Sequence, residues 1–425
     1  MRILVVGNGA REDALSWRLA ASPSCDAIFA APGNAGTASR GPNWDIPVTN
    51  AKRLADRCIE ERVDLVVLGP ETAIAAGVGD KLRDAGLSVF GPGRSAGRLE
   101  SSKVFAKRFM ERHGVPTARA AVVHSLDGAR HALEHWKAGG VVVKADGLAA
   151  GKGVVVTGSA SEALDVLTAW YSGNAIPGGG SDVLLEERLE GREVSVFALC
   201  DGRAMVPIAA ACDYKRAGDG DVGPNTGGMG AYSPPAAFSP GLFDEVRERI
   251  LAPTLRGLLA ENESYVGVLY CGLMMTSDGP QVIEYNVRFG DPETQVLMPR
   301  VTGDFAELLA STAEGAMDVS LAALSPQACV GVVLATTDYP RSSTPLHGLS
   351  ADVSLGEGCQ AFWGATKLDG GAVDAGGGRV LTVTALGDGV EDARVRAYDA
   401  VRALAGRLGA AGLTFRTDIA KAVAS

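Results

Sequence analysis

The sequence predicts an α/β protein in three parts: an N-terminal doubly wound unit over residues 1–101, a central unit over 102–323 with a small α+β lid at about 117–190, and a C-terminal α+β unit over 324–425. Three observations predict it. Short β-branched runs alternate with amphipathic segments through the first hundred residues. A glycine-rich turn with lysines at its base and tip joins two strand-like runs between Val141 and Val156. Between these regions, a helical pattern stops at Gly114-Val115-Pro116, a glycine cap with a proline just beyond it, and a new unit begins.

In order along the chain, Ile3 to Val6, Ala27 to Ala31, Asp64 to Leu68 and Leu87 to Phe90 read as buried parallel strands. The ligand crevice of such a unit lies at the carboxyl ends of its strands. A helix over about 102–113 follows, then lid strands at 141–144, 153–157 and 183–187 with a helix at 161–172. A larger antiparallel region extends to about 323, and the last hundred residues hold several short strands and one helix near 391–405. There is no internal repeat and no low-complexity tract.

Composition narrows the function classes. A net charge of −10 argues against nucleic acid or an anionic membrane as a partner, so any basic site must be local. The 7 cysteines are scattered and form no C-x-x-C pair, which points to core thiols in a reducing compartment. The opening apolar run is too short for a signal peptide, and no stretch approaches the ~20 apolar residues of a membrane span. A cytoplasmic protein acting on small molecules is expected, and a monomer.

Five segments carry chemistry. Gly7-Asn8-Gly9-Ala10-Arg11-Glu12 lies between a strand and a helix, where free N–H groups favour an anion. Without a small residue at Glu12 or an acid ending the second strand, it does not read as a dinucleotide fingerprint. The turn from Lys144 through Gly147, Gly151 and Gly153 suits phosphate oxygens, with Lys144 as a point charge and Lys103 as a second candidate. It is one residue too short for a Walker A loop and is followed by a strand. The run 183–196, with Glu186, Glu187, Leu189 and Glu193, offers an apolar slot, backbone polar atoms and carboxylates for a nucleoside, the bland reading being a solvated acidic turn. Strand alternation puts Glu284, Asn286 and Arg288 on one face, a row that suits a nucleotide-bound divalent cation. Finally Asp213-Tyr214-Lys215-Arg216 precedes the loop Gly223-Pro224-Asn225-Thr226-Gly227-Gly228-Met229-Gly230, whose backbone is expected to touch a ligand, and Lys215 and Arg216 would suit an anionic substrate.

Two short patterns are set aside. His131-Ala132-Leu133-Glu134-His135 fits the H-x-x-E-H zinc-protease pattern, but a pair of solvated histidines on a lid helix is the preferred reading. Gly93-Arg94-Ser95-Ala96-Gly97 fits a nucleophile elbow but follows a Gly-Pro-Gly turn and reads as a linker.

With these motifs in this order, the chain resembles the glycinamide ribonucleotide synthetase (phosphoribosylamine–glycine ligase) family, of the ATP-grasp superfamily, over essentially its whole length. The matches include the GNGxRE start, APGNAGT at 31–37, LGPE at 68–71, SKxFAK at 102–107, KADGLAAGKGV at 144–154, GPNTGGMGAYSP at 223–234, RFGDPETQ at 288–295, GATK at 364–367 and GGRVL at 377–381. The resemblance implies an ATP-grasp fold and the reaction of glycine, 5-phosphoribosylamine and ATP to glycinamide ribonucleotide, ADP and phosphate through a glycyl phosphate. It makes Lys103, Lys144, Gly151 and Gly153 phosphate ligands, and Glu186, Glu187, Leu189 and Glu193 the adenosine site. Glu284 and Asn286 become ligands to Mg²⁺ or Mn²⁺, and Lys144, Arg288 and Asp291 the catalytic set. Gly9, Glu71, Asp213, Lys215, Asn225, Thr226, Gly227, Lys367 and Arg379 would line the substrate site. The chain departs from the family at Asp13, usually His, at Ser101, usually Gly, and at Thr72-Ala73-Ile74, usually a stretch containing proline. Asp13 places a carboxylate near a loop expected to face an anionic substrate. The alternatives are therefore a paralogue using another amine or amino acid and, from a different class, a non-catalytic nucleotide-binding protein.

Overall fold

The computed structural model describes residues 1–136, 139–148, 153–173, 175–178, 180–235, 240–408 and 412–421. Gly151, a candidate phosphate ligand, lies outside them. The first hundred residues build a parallel sheet in the order Ala27–Pro32, Arg2–Gly7, Leu65–Leu68 and Ser88–Phe90. Its strands are continuous apolar runs because helices or the central sheet cover both faces. The loop after Arg2–Gly7, at the carboxyl end of the middle strands, carries Gly9.

The helix Lys103–His113 connects this unit to the next. Ser102 accepts the N–H of Phe105 at 3.0 Å to start it, and Gly114, at φ +67°, ends it. Next comes an antiparallel sheet in the order Ala120–Val123, Val183–Glu187, Val141–Ala145 and Val154–Val156. The helices Leu126–Glu134 and Ala160–Ser172, N-capped by Ser125 and Ser159, pack on it around a core of their own. That separate core makes the lid a distinct unit.

The main sheet crosses the boundary expected at 323. Its order is Gly279–Asn286, Val266–Thr276, Arg192–Asp201, Met205–Asp213, Gly230–Ser233, Ala328–Thr336, Arg379–Gly387 and Cys359–Trp363, with Leu413–Thr414 paired to Ala328–Thr336. Gly230–Ser233 pairs with Ala328–Thr336, so the last hundred residues extend the central sheet. The long helix Val390–Arg407 covers this extension, and a three-stranded sheet, Leu346–Ser350, Ala372–Ala375 and Thr366–Asp369, flanks it. Among the described residues, no helix is long and apolar enough to cross a membrane.

Asn34 fastens the N-terminal unit to this extension. Its buried amide donates to the carbonyls of Asn8, Gly9 and Trp363 at 3.1, 3.0 and 2.8 Å, and its oxygen accepts from Gly36 and Thr37 at 2.9 and 3.0 Å. Asn34→Ala orphans these buried groups. Urea denaturation is expected to show a loss of about 3 kcal/mol.

Candidate functional site

The loop after Arg2–Gly7, the loop after Asn286 and the loop at 225–229 meet beside Arg379. Gly9 lies beside the loop after Asn286: a methyl on it would stand 3.5 Å from the Asp291 carboxylate, in ordinary contact. Arg379 reaches in from the C-terminal part, donating to the carbonyls of Gly227 and Asp291 at 2.7 and 2.9 Å and pairing with the Asp291 carboxylate at 3.2 Å. A Cβ at Gly227 would sit 2.9 Å from the Arg379 guanidinium, so any larger residue would require that side chain to shift. Gly228, at φ +108°, lies against Pro292 in the same way.

The row expected on the strand Gly279–Asn286 is present. Arg288 donates from Nη2 to the Asn286 side-chain oxygen at 3.1 Å, pairs with Glu100 at 2.9 Å and meets Glu71 at 3.3 Å. Burial opposes its charge, but Glu100 and Glu71 outweigh that and hold its pKa above the ordinary value. Glu284 makes no side-chain hydrogen bond or ion pair among the described residues. Burial would raise its pKa, yet Lys215, Lys144, Lys103 and Arg288 lower it. A free carboxylate beside an amide oxygen suits a hard divalent cation.

Lys144 donates to the Ile283 carbonyl at 2.9 Å and pairs with Glu186 at 2.6 Å. Lys103 donates to the Gly147 carbonyl at 3.0 Å, and Gly153 closes the turn by accepting from Ala145 at 2.8 Å. Burial lowers the Lys103 pKa against the pull of Glu284. A lysine ammonium has three N–H donors, so both lysines keep a donor for a phosphate oxygen.

The nucleoside segment divides its carboxylates differently from the expectation. Glu186 is buried, with one oxygen on Lys144 and the other 2.8 Å from Lys107. Burial pushes its pKa up, but the two lysines bring it below the ordinary value. Glu187 turns to Arg119 at 3.0 and 3.1 Å, and Glu193, exposed, pairs with Lys215 at 2.9 Å. Leu189 and Glu187 line an open hollow of about 370 Å³ with Thr117, Arg119 and Gln281.

The loop 225–229 also differs. The N–H groups of Thr226, Gly227, Gly228 and Met229 are spent on the Lys215 carbonyl, the Tyr339 hydroxyl, the Thr226 hydroxyl and the Tyr214 carbonyl. Its glycines admit Arg379 and Pro292, and anion binding is left to side chains. Asp213 stands half-buried beside Lys215 without a hydrogen bond or ion pair among the described residues, and Asn225 has no side-chain partner either. Burial raises the Asp213 pKa to about 7 against the pull of Lys215, helped by Glu293, Glu193 and Glu284. Glu71 begins a short helix, and Arg288 and Arg11 hold its pKa down against burial. Lys367 is exposed on the flanking sheet, and no polar contact ties it to the other candidates among the described residues.

Asp13 does not face the cleft. It is fully buried, pairs with Arg40 and accepts the Trp363 N–H at 2.7 Å. Sequence reading missed Lys107, Glu100 and Tyr339. Lys107 carried a signal, because it lies one turn beyond Lys103 in the SKxFAK string. Ser95 of the set-aside elbow donates to Glu263 at 2.5 Å in a surface turn.

Models of the phosphoribosylglycinamide synthetase N domain, ATP-grasp (A) domain and C domain match residues 1–100, 101–294 and 329–422. A phosphoribosylamine–glycine ligase of Vibrio cholerae is 43% identical over 99% of this chain and 97% of its own length. One of Neisseria meningitidis serogroup A is 42% identical over 99% of both chains. The solved phosphoribosylamine–glycine ligase of Thermotoga maritima superposes with a TM-score of 0.84 at 33% identity, covering 99% of this chain and 100% of that one. The biotin carboxylase domain of Hydrogenobacter thermophilus 2-oxoglutarate carboxylase, at 15% identity, covers 97% of this chain and 91% of its own with a TM-score of 0.70, which shows the fold alone.

Lys107 is buried and spends all three N–H donors, on Glu186, the Thr117 hydroxyl at 2.7 Å and the Ala118 carbonyl at 2.8 Å. Lys107→Met should cost about 3 kcal/mol in urea denaturation. It should also weaken nucleotide binding in a titration, since Glu186 is then neutralised by Lys144 alone.

Proposed function

The chain belongs to the phosphoribosylglycinamide synthetase family, whose central domain is ATP-grasp, and on that premise we propose that it ligates glycine to 5-phosphoribosylamine with ATP, giving glycinamide ribonucleotide, ADP and phosphate, in purine biosynthesis. Similarity over the full length at 42–43% identity disfavours the paralogue and the non-catalytic reading. The observation that carries the chemistry is the free Glu284 carboxylate beside Asn286, within the field of Lys103, Lys144, Lys215 and Arg288. Family membership implies ATP with a divalent metal, and we assign Mg²⁺ to the Glu284–Asn286 oxygen pair, where it would offset charge on the nucleotide's phosphates. A monomer working in the cytoplasm fits this reading.

A carboxylate cannot acylate an amine until one of its oxygens becomes a leaving group. The γ-phosphoryl group therefore passes to a glycine oxygen, with Lys103, Lys144 and Arg288 neutralising its charge. The lid, a unit with its own core, would exclude water that could hydrolyse the acyl phosphate. Glu187, Leu189 and Glu193 hold the adenosine, while Gly9, Glu71, Asn225, Thr226, Gly227, Lys367 and Arg379 line the phosphoribosylamine site. The amine nitrogen then bonds to the glycyl carbon, and the carbon–oxygen bond to phosphate breaks with its electron pair on phosphate. Asp213, free and poised near neutrality, accepts the proton that the nitrogen loses. Asp291 keeps Arg379 in place from the opposite loop.

Glycine labelled with ¹⁸O in its carboxyl group should transfer one label to phosphate when MgATP and phosphoribosylamine are present; unlabelled phosphate on mass spectrometry refutes the acyl phosphate. Glu284→Ala should keep the wild-type circular dichroism and lose ADP release by at least ~100-fold. Asp213→Asn should lose amide formation with phosphoribosylamine yet still yield glycine hydroxamate with hydroxylamine, which remains nucleophilic at neutral pH without a base. Equal loss of both products would assign Asp213 to activation of glycine instead.

A further inference from the structure

Outside the cleft, three side chains with metal-binding chemistry converge at the C-terminal end of the lid helix Leu126–Glu134. His131, Glu134 and His135 each offer one ligand atom, and all three atoms lie within 4.8 Å of one another. His131 Nδ1 is 3.9 Å from a Glu134 carboxylate oxygen, and the two imidazole rings meet edge to face with centroids 4.9 Å apart. Residues one helical turn apart share a face, and the spacing of 131, 134 and 135 puts all three on it.

A second observation points to a ligand. His135 Nδ1 lies 3.0 Å from the His131 carbonyl oxygen. A carbonyl oxygen only accepts, so Nδ1 carries the proton in the neutral ring and Nε2 presents its lone pair outward. Metal-binding histidines are typically held in this way, with the far ring nitrogen donating to a carbonyl or carboxylate that fixes tautomer and orientation. The unpaired carbonyls of a helix C-terminus also favour a cation. All three residues are exposed, so a cation reaches them without desolvating a buried group.

We propose that His131, Glu134 and His135 form a surface site for a divalent transition ion of the Zn²⁺, Ni²⁺ or Cu²⁺ class, distinct from the oxygen pair at Glu284 and Asn286. Two imidazoles and one carboxylate select such ions over Mg²⁺, which takes oxygen donors, and water completes the coordination. The three residues are exposed on the helix surface.

The test is isothermal titration of the untagged, metal-stripped full chain with Ni²⁺ and with Zn²⁺ at pH 7.5, with excess Mg²⁺ present. One ion per chain should bind, and His131→Ala/His135→Ala should weaken binding at least tenfold, with circular dichroism unchanged because both rings are exposed. Glu134→Gln should weaken it less. Cu²⁺ should bind more tightly than either ion. No uptake, uptake only at millimolar ion, or equal uptake by the double variant would overturn the proposal; the last result would move the ion to the cysteines or the carboxylates of the cleft.

Discussion

The charge balance around Arg288 is the constraint on which the cleft depends. One guanidinium joins Glu71 of the N-terminal unit, Glu100 of the connecting segment and Asn286 of the central sheet. Glu100 is buried, and burial raises its pKa even with Arg288 beside it. Its other oxygen accepts the Val287 N–H at 2.8 Å, so the carboxylate fixes the strand end as well as the charge. Without the guanidinium, the two glutamates would face each other with only Arg11 near Glu71 and the Val287 N–H on Glu100 to offset them, a costly arrangement in a poorly solvated place. The row at 284–288 is therefore held from one side only. Asn286 is oriented by Arg288, whereas Glu284 is left free to take a ligand.

The lysines obey the same logic with the signs exchanged. Lys144 and Lys107 share the two oxygens of Glu186, which keeps three charges in the lid hinge at little net cost and holds Lys144 near the turn at Gly147. A phosphate that draws Lys144 forward leaves Glu186 still paired with Lys107. Glycines serve these charges by distance more than by flexibility. At Gly227 and Gly9, the missing side chain lets a guanidinium and a carboxylate come close to backbone.

Much of this was legible in the sequence because it follows from local rules. The parallel strands are apolar runs, the lid helices begin at serine caps, and alternation alone puts Glu284, Asn286 and Arg288 on one face. What was not legible depends on partners far along the chain. The pairing of Glu186 with both Lys107 and Lys144 is one such case. The partners of the loop at 225–229 are another, since Tyr339 and Tyr214 take the N–H groups of Gly227 and Met229. Asn34 looks like one letter of a turn, yet it bonds to Trp363, 329 residues away. No periodicity records such a contact.

Asp13 shows how a departure from a family pattern can be absorbed. Read in sequence, it puts a negative charge beside an anionic substrate; in the fold it points away, into a buried pair with Arg40 and onto the Trp363 N–H. Burial raises its pKa from 3.8 to about 6, and Arg40 and the N–H only partly offset that. The folded state therefore binds this proton more tightly than the unfolded state does. The resulting stabilisation is complete below the unfolded value near 3.8 and is lost as the pH rises through about 6. At neutral pH the ionised carboxylate does not raise stability; what it provides is geometry, because one oxygen orients Arg40 and the other holds the edge of the strand Cys359–Trp363. Gly36 packs directly against it, so a larger ring at 13 would require that loop to shift. The substitution thus alters how the N-terminal unit clasps the C-terminal part and leaves the cleft's own charges, Arg288, Arg379 and Lys215, untouched.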